Sequence, residues 1–219
     1  MHSEVQDEYS ETISSMEAES SSYSQDGDSN TTLKQFLVVG SKRMADDLRW
    51  FSAEEQSSYK KVENSRDNAV LLEVGNEIFA NFALANADVL WGVGVLFYGS
   101  SKILQSSEPD EATFSIFADE FSAAEQYIAS SQFASKENTG SLCGKFMEDS
   151  MKIPEFKNNL QKISWEYNEA LIKSECSSLL IKYESKLASD YALLKNEGSA
   201  ERAFLALKIN ALSKLESGQ

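Results

Sequence analysis

Apolar residues recur every three to four positions through most of this chain, the period of an amphipathic helix. The pattern is densest over residues 78–104. There Ile78, Phe82, Ala85, Val89, Val93 and Phe97 form one stripe, and Leu84, Leu90 and Trp91 fall off it. Apolar groups therefore cover most of the circumference. A helix of that kind is central to its domain or embedded in lipid. The run is long enough to cross a bilayer, which takes about 20 residues. However, Asn81, Asn86 and Asp88 interrupt it, and a centrally placed Asp costs about 3 kcal/mol to insert. We therefore expect no transmembrane span but a buried core helix over residues 68–105. Its glycines, Gly75, Gly92, Gly94 and Gly99, each weaken a helix by about 1 kcal/mol relative to Ala. They imply a break, a turn within residues 91–95, or close approach of a neighbouring backbone.

The other segments read as amphipathic partners of that helix. Thr31 or Thr32, with Gln35, has the form of a capping box, and a helix follows with Phe36, Leu37, Val38, Met44, Leu48 and Phe51. Gly40 marks a kink in it, and Ser52 to Glu55 has the form of a second start. Pro109 with acids after it predicts a helix over about 110–135, carrying Phe114, Phe117, Phe121 and Ala124. Residues 136–140 read as a loop, and 141–152 as an ambiguous short helix. From Pro154 to about residue 196 there is no Gly or further Pro. Phe156, Leu160, Ile163, Tyr167 and Leu171 drift into Ile172, Cys176, Leu179, Tyr183 and Leu187, predicting one long amphipathic helix. Such a helix suits a bundle or an antiparallel pair. Ser199 begins a last helix.

Composition agrees with an all-α reading. Two prolines and ten glycines in 219 residues are too little punctuation for a sandwich or barrel. The expected architecture is a bundle of five or six helices with one long C-terminal amphipathic helix, in a compact or an elongated antiparallel arrangement. Charge divides the chain. Residues 1–31 hold eight acids and no lysine or arginine, whereas residues 136–219 hold 12 acids and 12 bases. The first stretch is serine-rich and nearly free of aliphatics, so it is expected to be a disordered acidic tail, with residues 32–219 as a single helical domain. The net charge of −15 argues against nucleic acid as a partner, because phosphate binding runs on clustered Lys and Arg.

Catalytic groups are missing from the pattern. His2 is the only histidine, so neither Cys143 nor any serine has an imidazole to activate it. No HExxH, Cys/His cluster or EF-hand loop is present, and we expect neither a metal nor a cofactor. Cys143 and Cys176 belong to no CxxC pair. They are expected as free thiols in a cytoplasmic protein, a single disulfide between them being the lesser reading.

These observations lead to a non-enzymatic helical interaction protein, an adaptor or scaffold subunit acting through protein–protein contacts. Self-association into a homodimer is part of that expectation. Trp165, Tyr167, Tyr183 and Tyr191 on the long helix are the candidate partner contacts, since large aromatics dominate interfaces. The alternative is a peripheral membrane protein. In helix length and order over residues 32–217 the chain looks like the BAR domains of membrane-bending proteins, although no motif carries the likeness. That resemblance implies a helical dimer with a basic face, and this body is acidic or neutral. Its candidate membrane-facing bases are Lys60, Lys61, Arg66, Lys182 and Lys186. A third class is a small enzyme or ligand-binding bundle with a cavity near Trp91.

Overall fold

The computed structural model describes residues 2–25, 30–106, 114–152, 154, 169–194 and 199–218. Among them every regular element is a helix, and no strand occurs. The helices are α1 (His2–Gln25), α2 (Thr31–Glu63), α3 (Asn68–Gln105), α4 (Ala118–Ile128), α5 (Lys136–Ser150), α6 (Glu169–Leu193) and α7 (Ala200–Ser217). A 3-10 turn, Ser115–Phe117, leads into α4.

The α2–α3 hairpin is the spine. Asn30 caps α2 by accepting from the Leu33 amide at 2.9 Å, and Asp67 caps α3 by accepting from Ala69 at 2.8 Å. The two helices run antiparallel and interlock through their glycines. Leu96 of α3 lies against Gly40, Phe36 of α2 lies against Gly99, and the Met44 side chain lies 3.0 Å from where a Cβ on Gly92 would sit. Further along, Asn81 donates to the Phe51 carbonyl at 2.6 Å. Gly40 is thus a seat for Leu96, and α2 passes it unbroken. Ser52 starts no second helix, because the same helix continues to Glu63. Of the alternatives for the α3 glycines, close approach holds at Gly92 and Gly99. The neighbour there is a side chain and not a backbone, and α3 runs through residues 91–95 without a break.

Helices α5, α6 and α7 pack on α3, and α4 packs on α7. One apolar core runs through all of them. Ser135 caps α5 by accepting from Asn138, so residues 136–140, expected as a loop, are the first turns of a helix. The helix expected over 110–135 is shorter. Residues 107–113 lie outside the described residues, and the chain turns after Ile128, with Ala134 at a positive φ of 53°. Ser199 caps α7 as its sequence predicts, accepting from Arg202. Of the long helix expected from residue 154, the part described as continuous is α6; residues 155–168 and 195–198 lie outside the described residues.

Two expectations are corrected. Residues 2–25 are not a disordered tail but a helix lying antiparallel on α2. Val5, Tyr9 and Met16 are buried, and Ile13 packs beside them. These four make one stripe of helical period that the surrounding acids and serines conceal in the average. Ser52 and Gln56 donate to Gln6 Oε1 at 2.7 and 2.8 Å, and Ser20 donates to the Val38 carbonyl at 3.0 Å. Cys143 and Cys176 are not free thiols. They form a disulfide joining α5 to α6, with Cα atoms 5.9 Å apart and both side chains fully buried. Closing a loop of 33 residues constrains the unfolded chain by about 3–4 kcal/mol in the loop-entropy account.

Candidate interaction surface

Helix α3 turns two unlike faces to its surroundings. With about 100° between successive residues, Leu90, Val93, Phe97 and Leu104 fall within one narrow strip. All four are exposed, Phe97 at 77%, Leu90 at 66% and Leu104 at 62% of full accessibility. Tyr98, also exposed, lies to one side of the strip, and Gly94 lies between the two with no neighbouring atom near its Cβ position. Leu90, Phe97 and Leu104 are spaced by seven, the repeat that lets one helix pack along another. Val93 and Phe97 belong to the apolar stripe read from the sequence, which carried no assignment of inward or outward side. The structure places them outward, because Asp88, Gly92 and Gly99 occupy the face that meets α2.

That inner face carries a buried ionic cluster. Lys208 of α7 is fully buried, with Nζ 2.7 Å from Asp47 Oδ2 and 2.6 Å from Asp88 Oδ1. Tyr183 of α6 places its hydroxyl 2.8 Å from Asp47 Oδ2 and 2.7 Å from Asp88 Oδ1. Its single proton serves one carboxylate at a time. Lys186 reaches Asp47 and Asp190, each at 2.9 Å. Burial would push Asp47 up, but Lys208 and Lys186 outweigh it and hold its carboxyl below the usual range. Asp88 is pushed up to about 6, by burial first and by the Asp47 charge, against the pull of Lys208. For Lys208 burial works against the charge, and the two aspartates overcome it and raise its pKa. The cluster ties α2, α3, α6 and α7 at one depth. Polar partners of this kind fix a register that a purely apolar seam leaves free to slip.

The candidate contacts chosen from sequence are distributed differently. Tyr183 is in the cluster just described and wholly buried, so it is not a surface contact. Tyr191 is buried too, its hydroxyl donating to the Phe121 carbonyl at 3.4 Å and its ring lying 5.5 Å from the Arg202 guanidinium. Both lie on α6's inward face, which the aromatic pattern alone does not separate from the outward one. Trp165 and Tyr167 lie outside the described residues. Among the proposed membrane-facing bases, Lys60 and Arg66 are exposed near the α2–α3 turn. Lys61 is paired with Glu77 at 3.1 Å and Lys182 with Glu54 at 3.3 Å, and Lys186 belongs to the core cluster.

The surface signal that the sequence did hold is the seven-residue spacing of Leu90, Phe97 and Leu104. It was hidden by the apolar residues around it. The role of Asp88 was legible only as an anomaly, and its partner Lys208 sits 120 residues away with no local mark. Among the described residues no group of three His, Cys, Asp or Glu side chains is placed to hold a metal. The chain matches no family model, no curated protein and no solved structure.

Proposed function

We propose that this chain is a non-enzymatic helical interaction protein whose contact face is the outer strip of α3, and that its first partner is a second copy of itself. The observation that carries this reading is the row Leu90, Val93, Phe97 and Leu104, exposed on an otherwise well-packed bundle. Contiguous apolar surface on a soluble protein marks an interaction site. Two such rows laid together antiparallel bury identical patches, as a two-fold dimer requires, and Gly94 allows the helices to approach. The homodimer expected from the sequence would be met by this pairing. The row removes roughly 1,000 Å² from water over both copies, at the low end for a specific contact, so micromolar association is expected.

Free thiols went with the expected cytoplasmic location, and the Cys143–Cys176 disulfide bears against that expectation. A buried disulfide persists in an oxidising compartment, and we place the working protein there.

Light scattering coupled to size exclusion tests the proposal on the full chain across a concentration series. A dimer that Phe97→Glu converts to monomer supports it. A monomer at every concentration up to about 100 μM overturns self-pairing. Pelleting with anionic vesicles at low salt then decides whether the same strip serves the membrane reading, in which it would lie among lipid headgroups.

A further inference from the structure

Three helices grip the last turn of α7 at one corner, away from the outer strip of α3. Lys145 of α5 donates to the Leu215 carbonyl at 3.3 Å, a cation at the end where the helix dipole is negative. Tyr127 of α4 donates its hydroxyl to Glu216 Oε2. Glu184 of α6, wholly buried, is in hydrogen-bond contact with Glu216. Glu184 Oε2 also accepts from the Ala134 amide at 2.5 Å. Ala134 lies in the turn between α4 and α5 at a φ of 53°, a left-handed conformation that is costly for a residue with a Cβ. The Glu184 carboxyl therefore fastens a strained turn and the end of α7 to the same point.

Two acids meet here, and among the described residues no base is paired with either. The groups that face them are Tyr127 from α4 and the Ala134 amide from the turn. Lys145, from α5, directs its ammonium to the Leu215 carbonyl instead. Burial, and then the bond to Glu216, raises the Tyr127 phenol, so it stays a donor at alkaline pH. One oxygen of each carboxyl is left over: Glu184 Oε1 and Glu216 Oε1 are both buried without a partner. Buried polar atoms are nearly always satisfied, and an orphan calls for an explanation. Two ionised carboxyls cannot satisfy each other, because both only accept, whereas a protonated carboxyl donates. Charge argues the same way, since two carboxylates sharing a dry site do not both ionise. Glu184 is accordingly pushed up to about 9, by burial first and then by the charge of Glu216 and the bond to it.

We propose that Glu184 and Glu216 share one proton, and that this acid pair is a latch that closes the end of α7 on the α4–α5 turn and opens when alkaline pH removes the proton. With the proton present, one carboxyl donates to the leftover oxygen of the other. Without it, two negative charges face each other in a dry site. The last turn of α7 then moves away, because helix ends open more easily than packed interiors.

The test uses the full-length protein and one conservative variant. Glu216→Gln keeps a donor and an acceptor at the site and removes the second acid. Carbon-13 NMR of the glutamate carboxyls is expected to show Glu184 and Glu216 moving together in two steps, the upper one well above pH 7, as a coupled pair does. In Glu216→Gln the Glu184 midpoint is expected to fall by about one pH unit or more, a hold on the proton about ten-fold weaker. Trypsin reads the latch at Lys214, which is exposed on the last turn of α7. After correction for trypsin's own pH profile on a small peptide, cleavage there is expected to rise about ten-fold or more between pH 7 and pH 10 while helical circular dichroism stays constant. In Glu216→Gln that rise is expected to disappear. A Glu216 signal that is silent through the upper step, or a Glu184 midpoint unmoved by Glu216→Gln, overturns the shared proton. Cleavage at Lys214 that does not rise, that rises equally in the variant, or that accompanies loss of helix throughout the protein overturns the latch.

Discussion

The two faces of α3 invert the usual arrangement. Its inner side buries Asp88 against Lys208, and its outer side leaves Phe97, Leu90 and Leu104 in water. Within ten residues the helix hides its only acid after Glu77 and leaves a phenylalanine in water. Asp88 is tolerated inside because Lys208 and Tyr183 supply charge and hydrogen bonds at 2.6 and 2.7 Å. Among the described residues nothing covers the outer row in the same way. Among them, the inner face thus finds a cation and a hydroxyl for Asp88 Oδ1, though Oδ2 has no partner, and the outer row stays uncovered.

The largest effect is expected from disarming the inner side. Lys208→Met removes the ammonium between two aspartates and leaves their charges facing each other in a dry site. Breaking a buried pair by removing one partner costs about 3–5 kcal/mol, and urea unfolding should show a loss of that size. Lys208→Met combined with Asp47→Leu and Asp88→Leu is expected to recover much of it. A loss under 1 kcal/mol in the single variant would mean that water reaches the cluster and the inner side is not the sealed face described.

A second inner carboxyl sharpens the contrast through pH. Glu184 of α6 is wholly buried, accepting from the Ala134 amide at 2.5 Å. Burial, and then the charge of Glu216, raises it from 4.5 to about 9. At pH 7 the folded protein keeps this proton and the unfolded chain has released it. Stability therefore falls as pH rises between about 4.5 and about 9. One proton gives at most about 1.4 kcal/mol per pH unit, so urea melts at pH 6 and pH 8 should differ by up to about 3 kcal/mol. Asp88 has the same sign, but its window closes near pH 6. Glu184→Gln should flatten the slope above pH 6. An unchanged slope would assign it to other groups.

Helical content was legible in the sequence because period and sparse Gly and Pro are local properties. The span 68–105 for α3 was read correctly for that reason, as was the Ser199 start of α7. Orientation about the helix axis was not legible. Once apolar residues cover most of a circumference, the stripe no longer indicates which side faces inward. The deciding features were instead the small residues Gly92 and Gly99 and the acid Asp88, which share one side. They read as flaws in an apolar helix, and in the fold they mark the contact with α2 and α7. The disulfide and the Asp47–Asp88–Lys208 cluster join positions distant in sequence, so no local pattern announces them. Helix α1 was obscured for another reason. Its four apolar residues are at the right spacing, but its many acids dominate any average over the segment.

Glycines give a finer comparison of the two sides. Gly99 faces Phe36, which is wholly buried and stacked on Phe117 at 5.9 Å between ring centres. That ring has no room to yield, so Gly99→Ala should destabilise by about 1–3 kcal/mol, the range for overpacked sites. Gly94, five residues earlier, meets nothing, and Gly94→Ala should stabilise by up to about 1 kcal/mol through helix propensity alone. Opposite signs in thermal melts of the two variants would confirm that α3 has one packed side and one open side. The same sign in both would refute it.

The smallest expected effect is the most informative about the outer row. Phe97→Ser removes the largest exposed apolar side chain among the described residues, at a site where it touches little. For a monomer below its association range, the change in unfolding free energy should stay within about 0.5 kcal/mol, as for a surface substitution away from special features. A comparable truncation of the buried Phe36 or Phe51 should cost about 3–5 kcal/mol. If Phe97→Ser is silent in dilute protein but lowers the melting temperature at high concentration, the row contributes only when a second copy covers it. That follows from mass action, since whatever binds the folded form stabilises it. A loss of several kcal/mol in dilute protein would instead place Phe97 inside the fold, and the two faces of α3 would no longer differ.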